Sequence, residues 1–189
     1  MGQTFLSGLI LQIEELKEEI KKIAEKTSAA QLNWKPSPKK WSIGQVYDHL
    51  NTEFNLYDKQ LIKINKKDNL PKRTDNWQQR TTISGKFLNR MINPASKKKV
   101  PAPGKFKPSQ SEIESSIFEK QLANLDKLST YIQKAENEAW DLNKIPVISP
   151  ALFLLRMNLG ECFQLEVFHN QRHLQQAKRV MKAEGFPKE

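Results

Sequence analysis

Three histidines, His49, His169 and His173, are all that the 189 residues contain. His169 and His173 stand four apart in a segment whose apolar spacing predicts helix,. Side chains at that spacing share a helix face, one turn above the other, so both imidazoles can reach a single divalent ion. Phe163, Glu166, His169, His173, Ala177 and Val180 follow the same inward stripe. His49 lies among Val46, Leu50, Phe54, Tyr57, Leu61 and Ile64, the apolar stripe of another predicted helix,. Each histidine therefore faces inward, and the pattern predicts one shared metal site rather than three unrelated core histidines. Neutral imidazoles suit Zn²⁺, Ni²⁺, Fe²⁺ or Cu²⁺ better than Mg²⁺ or Ca²⁺. Three protein ligands leave coordination positions open, the pattern of a catalytic site rather than a closed structural one.

Helix geometry supplies the next candidates. Glu166 stands one turn before His169, and Gln176 nearly one turn after His173. Gln45 and Glu53 flank His49 by a turn on each side. A carboxylate or amide so placed can orient an imidazole or act as a base, although capping is the better role for Gln45. Glu166 or Glu53 is the candidate base, and Arg172, between the two histidines of its helix, together with the basic segment Lys97–Lys107, is the candidate anchor for acidic substrate groups. Cys162 is the one cysteine. A helix N-terminus can lower a thiol pKa, but a small buried apolar residue is the stronger reading.

The elements that must position these residues are helical. A first helix is predicted over 4–29. A second starts at the capping box of Ser42 and Gln45, with Trp41 and Val46 as hydrophobic staple, and runs to about Asn65,. Residues 66–108 read as an irregular excursion with a short helix near 82–91. A third long helix is expected from Ser109 or Ser111 to about Glu136. Ser149-Pro150 looks like the start of a short apolar helix,. Asn158 with Glu161 caps a last helix over 159–184,. Four long helices with two long connections predict one all-α domain over 1–189, an antiparallel four-helix bundle.

Composition limits the alternatives. One cysteine cannot form a disulfide framework, which fits a cytoplasmic setting,. The first residues lack a basic and then apolar leader, and the longest apolar run, 151–155, is far too short to span a bilayer,. The net charge of +10 comes from lysines scattered over most of the chain, many beside acids. Only Lys97, Lys98, Lys99, Lys105 and Lys107 concentrate them. The expectation is a lysine-rich soluble surface with no membrane partner. No aromatic stacking platform supports nucleic acid.

The strings KWSIGQVYDHL (40–50) and HNQRHLQQ (169–176) resemble the two histidine motifs of the DinB/YfiT-like metalloprotein superfamily. The Pro- and Lys-rich segment 101–108 and the Ser-Pro before the last helix are similar too. The resemblance covers essentially the whole chain. It implies an up-down-down-up bundle, one Zn or Ni ion on His49, His169 and His173, and often a homodimer. It also implies either a thiol S-transferase, joining a low-molecular-weight thiol to an electrophile, or a metal-dependent hydrolase. Of these, thiol transfer is the leading expectation, with hydrolysis or a non-catalytic metal-binding stress-response module as alternatives and a small molecule as substrate.

Overall fold

The structure, a computed structural model, describes residues 4–96, 102, 104–109 and 111–188. Lys97, Lys98 and Lys99 of the basic loop lie outside the described residues. The described residues form six α-helices: α1 (Phe5–Glu25), α2 (Ala29–Asn33), α3 (Ile43–Asn65), α4 (Ile83–Ile92), α5 (Ser116–Asn137) and α6 (Leu159–Met181). The four long ones build the bundle. A short hairpin, β1 (Pro146–Ile148) paired antiparallel to β2 (Arg156–Asn158), leads into α6.

Contacts between side chains give the helix directions. Gln171 of α6 bonds Gln12 of α1, and Lys178 bonds Glu19, so α1 and α6 run parallel. Asn124 bonds Asn51 and Tyr131 bonds Asp58, so α3 and α5 also run parallel. The histidines bring the start of α3 against the second half of α6, so these two are antiparallel. The arrangement is up-down-down-up. A helix cannot return parallel to its predecessor through a tight turn, so the chain needs the long passage from Asn65 to Ser116.

Capping explains the sharpest boundaries. Ser42 and Gln45 bond reciprocally at the start of α3, and Asn158 and Glu161 do so at the start of α6,. The core joins Leu9, Ile13, Leu16 and Ile20 of α1 to Leu50, Phe54 and Leu61 of α3, Leu125 and Leu128 of α5, and Phe163 and Val167 of α6. Fully burying one such side chain contributes roughly 1.5–3 kcal/mol.

Three expectations are corrected. The first helix ends at Glu25, and the separately capped α2 follows, because Ser28 starts a new capping box with Gln31. Its buried stripe begins at Leu6 and Leu9, while Leu11 is half exposed. The helix α5 starts at Ser116, not at Ser109 or Ser111. Ser109 and Ile113 instead strap the chain to the bundle: Gln45 donates to the Ser109 carbonyl, and Asn33 exchanges two bonds with the Ile113 backbone. The segment after Ser149 is a hairpin tip rather than a helix. The Ser149 amide bonds the Leu155 carbonyl across it, and Phe153 and Leu154 face solvent.

Candidate metal centre

His49 stands in the second turn of α3, and His169 and His173 stand on successive turns of α6. All three side chains are buried. The antiparallel pairing of α3 with α6 brings the imidazoles together. His169 Nε2 lies 3.3 Å from His49 Nε2 and 3.0 Å from His173 Nε2.

The other ring nitrogens explain why the Nε2 atoms converge. His49 Nδ1 lies 2.6 Å from the Phe106 carbonyl oxygen. His173 Nδ1 lies 2.9 Å from Gln176 Oε1. His169 Nδ1 lies 3.2 Å from Glu53 Oε2, within ion-pair distance though outside hydrogen-bond geometry. The acceptors at Nδ1 of His49 and His173, and the carboxylate beside Nδ1 of His169, favour a proton there, which leaves the lone pair on Nε2. Three lone pairs then face one point inside the protein, an arrangement that repels itself unless a cation stands between them. Nitrogens held tetrahedrally at 2.0–2.1 Å from zinc stand roughly 3.3–3.4 Å apart. The two Nε2 separations lie at or just below that value, so the residues fit a divalent ion.

Electrostatics favour the ligand form. Burial holds His49 down to about 4, with His169 adding to the effect. Burial, then His169 and His49, hold His173 well below the usual histidine range. Both rings are neutral at pH 7, the state that binds metal.

Behind the histidines lies a closed carboxyl pocket. Glu166 is 0% exposed, and neither carboxyl oxygen has a hydrogen-bond partner. Burial first, and the adjacent Glu53 second, push its pKa well above the usual carboxylate range. Both effects favour the protonated form of Glu166 over a second buried charge beside Glu53. Cys162 and Tyr57 adjoin the same pair, and burial raises both groups well above their usual range. Cys162 is a buried thiol, not a thiolate.

Arg172 faces away from this pocket. Its guanidinium donates to the carbonyls of Asn93 and Ser96 and so anchors the chain leaving α4. Gln45 caps α3 and ties down Ser109. Two participants were outside the sequence prediction. Trp41, expected as a staple, lies against the imidazoles, stacked near-parallel to His173 with centroids 6.1 Å apart and tilted against His49 at 5.0 Å. Phe106 contributes a main-chain oxygen, which no side-chain pattern announces.

A family model described as the DinB superfamily matches residues 12–177. The chain belongs to the DinB superfamily. No curated protein sequence matches it. Among solved structures, this DinB-superfamily chain is similar to YfiT from Bacillus subtilis, described as a probable metal-dependent hydrolase with an unusual four-helix bundle topology. The two are 14% identical, with 96% of this chain and 89% of YfiT covered at a TM-score of 0.56. That likeness is one of fold. Within it, the histidines of the two family-like motifs are the group among the described residues that could hold a metal ion.

Proposed function

We propose that the protein is a metal-dependent hydrolase whose single divalent ion, Zn²⁺ or Ni²⁺, is held by His49, His169 and His173. The observation that carries this reading is the convergence of three Nε2 atoms, two of them with a hydrogen-bond acceptor on the opposite ring nitrogen and the third with the Glu53 carboxylate beside it. The description of YfiT points the same way and favours hydrolysis over thiol transfer. Bound in such a site, the ion supplies Lewis acidity and an activated water near neutral pH.

The chain's own residues do the remaining work. Phe106, Gln176 and Glu53 orient the imidazoles and raise their basicity. Glu166 holds a proton beside Glu53 and keeps the paired carboxyls from carrying two charges. Its enclosure gives it this positioning role in place of that of a base meeting substrate. Trp41 covers the imidazoles on one side and limits water there. Lys105 and Lys107, exposed on either side of buried Phe106, give the adjoining rim a positive character suited to an anionic small molecule,.

The test is turnover of a panel of esters, amides and phosphoesters by metal-loaded and metal-stripped protein, with and without low-molecular-weight thiols. Metal-dependent, thiol-independent turnover is expected. Turnover that requires a thiol would transfer the assignment to the S-transferase reading, and metal binding with no turnover would leave a non-catalytic module.

A further inference from the structure

The cations that look scattered along the chain are gathered by the fold around an exposed apolar tip. The hairpin tip presents Phe153 at 76% and Leu154 at 81% exposure, with Leu152 beside them. On α4, Ile83 is 93% exposed and Phe87 follows it one turn on, also exposed. Three consecutive exposed apolar side chains at one tip mark an interaction site,.

The surroundings say what kind. Gln60 of α3 exchanges two hydrogen bonds with the Ile148 backbone, at 2.8 and 3.0 Å. Arg80, just before α4, bonds Asn143 and Asn158 on the other side of the hairpin. The tip therefore projects between the last turns of α3 and the start of α4. Segments 59–67, 80–86 and 142–156 carry four, two and two cations respectively, and no carboxylate. All eight are exposed. Among them only Lys144 is in an ion pair, with Asp141. Asp58 and Asp68 border the first segment and Asp141 the third.

We propose that this end of the bundle docks on an anionic lipid bilayer, with Phe153 and Leu154 entering the headgroup–acyl boundary and the cations resting on lipid phosphates. Apolar insertion combined with a basic ring is the chemistry of peripheral membrane binding. A second copy seated on the same face would set cations against cations. Nucleic acid would want stacked aromatic platforms, whereas this tip is mostly aliphatic. The hairpin is tied to α3 about 16 Å along the helix from His49, so docking leaves the histidines clear of the lipid.

The test is flotation of the full, metal-loaded chain with vesicles of phosphatidylcholine alone and of equal parts phosphatidylcholine and phosphatidylglycerol. Binding to the anionic vesicles only, weakened by salt, is expected. Phe153→Ser/Leu154→Ser should lower partitioning at least about tenfold. Lys59→Glu/Lys63→Glu should lower it at least ~20-fold, since each cation near the leaflet is worth roughly fivefold. Both lysines are exposed, so this pair decides the matter should the serine pair fail to fold. The idea is overturned by absence of binding to anionic vesicles, by equal binding to neutral ones, or by binding indifferent to both pairs. A solution dimer that Phe153→Ser/Leu154→Ser splits, with no vesicle binding, would assign the face to a second copy instead.

Discussion

At the scale of single residues, His49 and His173 are each made a ligand twice over, by an acceptor at Nδ1 and by burial that refuses the charged form. His169→Ala removes the nitrogen that lies between the other two. Metal content by elemental analysis should fall from about one equivalent in the wild type to background; retention of a full equivalent would refute the shared site. Burial also predicts a pH response in the stripped protein. Folded His49 titrates near 4, whereas an unfolded imidazole titrates at about 6.5,. The unfolded chain binds more protons between those values. The His49 contribution is therefore fully present above about pH 6.5 and is lost as pH falls, by of order 3 kcal/mol at pH 4. His173 acts in the same direction. Urea denaturation of stripped wild type against stripped His49→Gln, from pH 7 to pH 4, reads the difference. The buried thiol gives a simpler check: Cys162 should resist a thiol reagent in the folded protein and react once denatured.

At the scale of elements, one carboxylate fastens two helix starts. Glu161 accepts from the backbone and hydroxyl of Thr82, the N-cap of α4, and from the backbone of Asn158, the N-cap of α6. A Cβ at Gly85 would fall 2.1 Å from its Cδ. Glu161→Ala should cost about 2–3 kcal/mol, lowering Tm by roughly 4–12 °C. Gly85→Ala displaces the same carboxylate, so the double variant should lose much less than the two single losses together. Thermal melts of all three variants measure this. The same elements show what a linear sequence discloses. Both histidine helices begin at reciprocal caps three residues wide, a local signal, and so their starts and inward faces were legible. The hairpin was not, because its pairing of Val147 with Met157 is non-local and Ser149-Pro150 imitates a helix start. Nor was the strap at Ser109 and Ile113, whose bonds run to Asn33 and Gln45 on distant helices. Within the site, side-chain ligands could be read from spacing. The Phe106 carbonyl could not, since every residue has one, and the position of Trp41 over the rings depends on how α3 meets α6.

At the scale of the whole molecule, the histidines join α3 to α6 near the end of the bundle where Gln45 and Asp48 hold Ser109. An ion bound there ties two antiparallel helices and the strap into one unit. Saturating metal at about 1,000 times its Kd should stabilise the fold by about 4 kcal/mol, raising Tm by roughly 8–16 °C for a chain of this size. Calorimetry of stripped and reloaded protein checks this, with His169→Ala showing no rise. None of the helices among the described residues is long and apolar enough to cross a membrane.

The acceptor that fixes His49 has a further consequence. Glu53 and Gln176 can each be deleted by one substitution, but the third orienting group belongs to the main chain at position 106. It survives any change of side chain that leaves the short 3₁₀ turn Gly104–Phe106 in place. This corner of the site is thus robust to sequence drift, and its weak points are conformational: the Asp48–Ser109 and Gln45–Ser109 bonds that hold the loop against α3.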